Sequence, residues 1–119
     1  MRILFDHNVD RRFRRSLSGH EIRTTREKRW EKLENGALIS AAAADGFEAI
    51  LTVDKKLEHE QNLRTLPIPI IVLNSPSNAL AALLPFSTHV LELLRSPLDP
   101  LLYFIQPDGV ILRLTTPRQ

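Results

Sequence analysis

Residues 47–53, Phe-Glu-Ala-Ile-Leu-Thr-Val, are apolar at both parities from Ala49 to Leu51. A strand with one wet face alternates apolar and polar side chains, so this run reads as one covered on both faces, as the strands of a parallel sheet are. Parallel neighbours need crossovers long enough to hold a helix. The flanking segments fit that need: residues 2–5, 20–25 and 68–74 read as further strands, with helical patterns between them. Asp10 is placed to cap a first helix with Phe13 and Leu17 inward and Arg11, Arg12, Arg14 and Arg15 outward, ending at Gly19. Asn35 is placed to cap a second, "GALISAAAADG", which stops at Gly46. Ser77 or Asn78 would cap "ALAALL", and Pro85 would open "FSTHVLELLRS", closed by Pro97 and Pro100. Pro67 and Pro69 at the start of the fourth strand suggest a position near the sheet edge. "LLYFI", "QPDG" and "VILRLTT" read as a hairpin, added to the sheet edge or used in a dimer contact. The expected fold is therefore α/β, with a mainly parallel four-stranded sheet flanked by helices, plus a C-terminal β-hairpin. It forms one domain over 1–119, with a core at 1–95 and an extension at 96–119.

A chain of 119 residues suffices for one core without covalent staples. It has no cysteine, which excludes disulfide frameworks, thiolate metal sites and thiol nucleophiles. No stretch resembles an export signal or a membrane span, so a soluble cytoplasmic protein is expected. Net charge is only +2, yet residues 1–32 hold ten of the sixteen Lys and Arg and five of the fourteen acids. A basic third of this kind attracts phosphates, or is simply a solvated arginine-rich face.

Two of the apolar strands end in acids, Asp6 after "RILF" and Asp54 after "AILTV". In open α/β sheets functional groups gather at the carboxyl ends of strands, near a switch in strand order. If the two strands are neighbours, a spacing of about 4.8 Å brings both carboxylates within reach of one hard divalent cation such as Mg²⁺ or Mn²⁺. Such an ion activates water and stabilises phosphate charge in hydrolysis. An Asp just past a strand also serves as a cap or turn former, and Asp54 before "KKLEHEQNL" could do that. Lys55 and Lys56 would contact a phosphate, neutralise the acids or stay solvated, and His7 and His59 read as surface or hydrogen-bond-satisfied histidines, not ligands.

"RILFDHN", "GHEIRT", "LENGALISAAAADGFEAILTVDKKLEHEQNL" and "IPIIVLNSPSN" together resemble the small PIN-like proteins of the DUF5615 group, related to PIN-domain ribonuclease toxins. The likeness runs from residue 2 to about 95. It implies a Rossmann-like PIN sandwich and a toxin that cuts RNA with Mg²⁺ or Mn²⁺, paired with an antitoxin protein. On this resemblance Asp6 and Asp54 match the metal-holding acids. His7 stands where many relatives carry an acid, while Asn8 remains an oxygen ligand. Asn35 falls where others place a helix-start acid, with Glu34 beside it, and Asn62 would line the same cleft or stabilise a turn.

Two functions follow. In the first, a metal-dependent ribonuclease, Asp6 and Asp54 hold the ion, Asn8, Glu34 and Asn35 assist, and Arg11, Arg12, Arg14, Arg15, Lys55 and Lys56 face RNA phosphates. In the second, a binding module of the same fold with weak or lost catalysis docks a protein partner or nucleic acid. A homodimer is compatible with both.

Overall fold

In the computed structural model, which describes residues 1–118, the apolar runs become six strands: β1 (Arg2–Phe5), β2 (Glu21–Thr24), β3 (Ala49–Thr52), β4 (Ile70–Leu73), β5 (Leu102–Ile105) and β6 (Ile111–Leu114). They make one sheet in the order β2-β1-β3-β4-β5-β6. All neighbours are parallel except β5 and β6. The protein is thus α/β with a mostly parallel sheet, but the expected count of four strands is corrected, because the C-terminal hairpin joins the same sheet and makes it six. Leu102–Ile105 explains the difference. It is apolar at both parities and wholly buried, the same signature as β3, so it joins β4 in register from Ile70↔Leu102 to Leu73↔Ile105. The hairpin turn itself forms as expected, with Gln106 N–H donating to Val110 O at 2.8 Å and Gly109 at φ +93°. Of the two places expected for this hairpin, it takes the sheet edge, beside β4.

β4 is also interior, between β3 and β5, and not near an edge. Both prolines precede the first ladder residue, Ile70, and the Pro69 carbonyl still accepts from Ile50 N–H at 3.0 Å. A missing donor outside the ladder does no harm there.

Side-chain alternation then sends two cores to opposite faces. Ile3, Phe5, Leu51, Ile71, Leu73, Tyr103 and Ile105 face one way. There they meet Phe13 and Leu17 from the first crossover, together with Leu83, Phe86 and Val90 from the last helices. Leu4, Ile50, Ile70, Val72, Leu102 and Phe104 face the other way, against Leu38, Ile39 and Ala42 of α1 (Asn35–Ala44) and Leu57 of α2 (Leu57–Glu60). Alanines at 41–44 keep α1 slim where it crosses the sheet.

The first crossover is a 3-10 turn, Arg11–Ser16, capped as expected by Asp10, whose carboxylate accepts from Arg12 N–H at 2.9 Å. The cap of α1 is Glu34, not Asn35. Asn35 is already helical, and its side-chain amide donates to Glu60 Oε2 at 3.2 Å, tying α1 to α2. Neither Ser77 nor Asn78 caps α3 (Leu80–Leu83); Ala79 does, while Ser77 Oγ accepts from Ala79 N–H at 3.2 Å. Pro85 does not open a helix but lies inside a 3-10 turn, Leu84–Phe86, that joins α3 to α4 (Ser87–Leu93). Among the described residues no helix is long and apolar enough to cross a membrane.

A tail clasp closes the second core. Glu58 on α2 is fully buried, and the C-terminal segment returns to it: Arg118 donates to its carboxylate from the backbone N–H at 2.7 Å, Nη2 at 2.8 Å and Nε at 3.1 Å. The Arg118 guanidinium also lies 4.1 Å from the Phe104 ring centroid. That guanidinium holds the Glu58 carboxyl below its ordinary value even though burial pushes it up.

Candidate functional site

Because β1 runs out to β2 on one side while β3 runs on to β4 on the other, the order of the sheet reverses between β1 and β3. A crevice opens at such a switch, at the carboxyl ends of the two strands. Phe5 pairs with Leu51, so the next residues, Asp6 and Thr52, stand abreast at the crevice floor. Asp6 N–H continues the ladder, donating to Leu51 O at 3.0 Å.

One hydroxyl organises this floor. Thr52 Oγ1 donates to Asp6 Oδ2 at 2.8 Å and accepts from Asp54 N–H at 3.0 Å, with Asn8 Oδ1 lying 3.5 Å from it. Asp6 is 6 % exposed, and its other oxygen accepts from His7 N–H at 2.7 Å. Asp54 Oδ1 accepts from Lys56 N–H at 3.0 Å, so Asp54 does form the turn into α2 that its position in the sequence allowed. An ionised carboxylate offers about four lone-pair sites. Asp6 therefore keeps one on each oxygen, and Asp54 keeps Oδ2 entirely. Asp6 and Asn8, both expected at the site, meet at Thr52, and of Asp54 it is the backbone N–H that reaches the same hydroxyl; Thr52, which links them, is an addition. Its signal in "LTVD" was a hydroxyl two residues before the acid, at the last position of an apolar strand.

His7 is exposed, yet it is the satisfied histidine that the sequence allowed. Its Nδ1 lies 2.9 Å from Thr25 Oγ1 and its Nε2 3.3 Å from Leu33 O. A carbonyl only accepts, so Nε2 carries the hydrogen and Nδ1 accepts from the threonine. With both nitrogens engaged, the ring braces the loop between β2 and α1 against β1 and is not free to bind a metal.

That brace divides the expected residues. Glu34 and Asn35 line a cleft of about 680 Å³ on the far side of His7, with Glu60 and Gln61. Asp6 instead lines a neighbouring cleft of about 300 Å³ with Arg11 and Arg14. Glu34 makes no side-chain capping bond, and Asn35 is held by Glu60. Asn62 stabilises a turn, its Oδ1 accepting from Arg64 N–H at 3.1 Å.

The four arginines do not all face outward unpaired. Arg12 is bound to Asp10 at 2.8 Å, and its guanidinium helps hold the Asp10 carboxyl at about 2. Arg14 is bound to Glu27 at 3.2 Å, and Glu27 is held low by the Thr24 N–H and by that guanidinium. Arg11 and Arg15 have no carboxylate partner among the described residues. Lys55 donates to Ser75 O at 2.7 Å, joining the Asp54 loop to the end of β4, while Lys56 stays exposed. Among the described residues no group of three or more His, Asp or Glu side chains is arranged to hold a metal ion.

No protein-family model, curated protein or solved structure matches the chain.

Proposed function

We propose that the crevice between β1 and β3 is the centre of a metal-dependent ribonuclease of the PIN-like type, in which Asp6 and Asp54 hold one Mg²⁺ or Mn²⁺. The observation that carries this reading is the shared Thr52 hydroxyl, which fixes Asp6 beside Asn8 and the Asp54 loop at the switch in strand order. The donor set suits such an ion: Mg²⁺ is commonly held by one or two carboxylates, waters and substrate phosphate oxygens, with no full protein cage. When bound, the ion would lower the pKa of a water and offset charge on the phosphate. The protein's own part is to keep the Asp6 carboxylate in one orientation through Thr52 and the His7 N–H, and to offer the Asn8 amide oxygen beside it. Glu34 and Asn35, across the His7 brace, would meet an extended strand and not the ion. A cytoplasmic toxin neutralised by an antitoxin protein is the setting this reading implies.

A second reading is a binding module of the same PIN-like fold with little or no catalysis. It is favoured by the absence, among the described residues, of a third acid beside Asp6 and Asp54, both of which already accept bonds from the chain. Calorimetric titration of Mn²⁺ into wild type and into a folded Asp6→Asn, Asp54→Asn variant decides between them. Binding that is lost in the variant supports the nuclease, and Asp54→Asn should then abolish RNA cleavage without unfolding the chain. No saturable binding at millimolar Mn²⁺ would leave the module.

A further inference from the structure

The smaller cleft beside Asp6 has a chemistry of its own. It is about 300 Å³, at the lower end for small-ligand sites, and lies between the Arg11–Ser16 turn and the loop that leaves β2. Its lining includes Asp6, Arg11, Arg14, Thr24, Arg26 and Glu27. Two of these charges cancel: Arg14 Nη1 binds both Glu27 oxygens, at 3.2 and 3.3 Å, while Glu27 also accepts from Thr24 N–H at 2.9 Å. Asp6 is buried and turned toward Thr52. What remains is Arg11 and Arg26, both exposed and neither with a carboxylate partner among the described residues; Arg11 meets Asp10 only at longer range. Thr24 is also taken up by Glu27: its Oγ1 accepts from Glu27 N–H at 3.1 Å, and its side chain helps hold the Glu27 carboxyl low.

Two unspent guanidiniums, converging from separate elements on a small polar cleft, match the acceptors of a phosphate group. We infer that this cleft seats one backbone phosphate of the RNA, next to the phosphate presented to Asp6 and Asp54. Arg11 and Arg26 bind it. Asp6 belongs to the wall of this cleft and to the proposed centre, so a strand held here is delivered to the crevice from the β2 side. Arg12, spent on Asp10, and Arg15, which does not line this cleft, take no part. Contacts of this kind position a strand without reading its sequence.

The inference rests on the RNA reading, and the test separates the two. Fluorescence anisotropy of a labelled single-stranded oligoribonucleotide, with EDTA present so that neither metal nor cleavage intervenes, is compared for wild type, Arg11→Ala/Arg26→Ala, Arg11→Lys/Arg26→Lys and Arg64→Ala. The double alanine variant should bind about tenfold more weakly, with a log–log salt slope smaller by about 1. The double lysine variant should recover part of the loss, and Arg64→Ala, on the turn leading into β4, should match wild type. A double alanine variant that binds like wild type with an unchanged slope would overturn the phosphate seat and leave RNA binding standing. Wild type without RNA affinity would overturn both. Saturable calorimetric binding of inorganic phosphate without RNA binding would instead make this a small-anion site and also overturn the inference.

Discussion

Arg118→Ala should be the most costly single change at the protein surface. The arginine side chain is 40 % exposed and lies over Phe104, but the carboxylate it serves, on Glu58, is 0 % exposed. Truncation removes the Nε and Nη2 donors and leaves only the backbone N–H at 2.7 Å. Breaking a buried pair by deleting one member costs about 3–5 kcal/mol, and the exposure of Arg118 reduces this to about 2–3 kcal/mol, because water can follow into the gap. In urea that corresponds to a midpoint lower by about 1–2 M with an unchanged slope. The pH dependence has a definite sign. Arg118 depresses the Glu58 carboxyl below its ordinary 4.5, so the pair stabilises the fold above that value and the contribution is lost as pH falls through the folded-state value. Wild type and variant should therefore differ most above about pH 5 and converge in acid. Adding Glu58→Met should restore most of the midpoint, since it removes the stranded charge as well. A midpoint for Arg118→Ala within error of wild type at pH 7, or a gap that does not close in acid, would refute this reasoning.

Thr52→Val keeps the shape of β3 but leaves Asp6 Oδ2 and the Asp54 N–H without their common partner; a loss of about 1–3 kcal/mol is expected by chemical denaturation, together with weaker Mn²⁺ binding, and Thr52→Ser should recover most of both. Gly109→Ala should cost about 1–2 kcal/mol in thermal or urea melts, because the turn needs φ +93° and the new Cβ would come 2.7 Å from His89, whose ring must swing aside.

Local chemistry was readable where one segment carried its own signal. β1 and β3 announced themselves by apolar runs ending in acids, Asp10 by its place before a turn, and Pro-Asp-Gly by the demands of a hairpin. What failed depended on partners far along the chain. Pro69 suggested an edge because its missing N–H matters only inside a ladder, and nothing local says that the ladder begins one residue later. Asn35 had the chemistry of a cap, yet it is already inside α1 and its amide N–H is spent on Glu60 of the neighbouring α2, a partner 25 residues away. The clasp between Glu58 and Arg118 joins residues 60 apart and has no sequence signature at either end. Around β1 and β3, Asp6, Asn8 and Asp54 could be singled out from the sequence, whereas Thr52 and the His7 brace required the register of β1 against β3.

The central place of β4 has a consequence for the life of the chain during synthesis. Until residues 102–105 emerge from the ribosome, β4 has no neighbour on its outer side, and its four residues are apolar and fully buried in the finished sheet. An open, uncharged strand edge of that kind is a template for aggregation. Premature termination or proteolysis near residue 95 would thus give a sticky fragment and not a trimmed domain, so the C-terminal quarter acts as the chain's own guard against self-association.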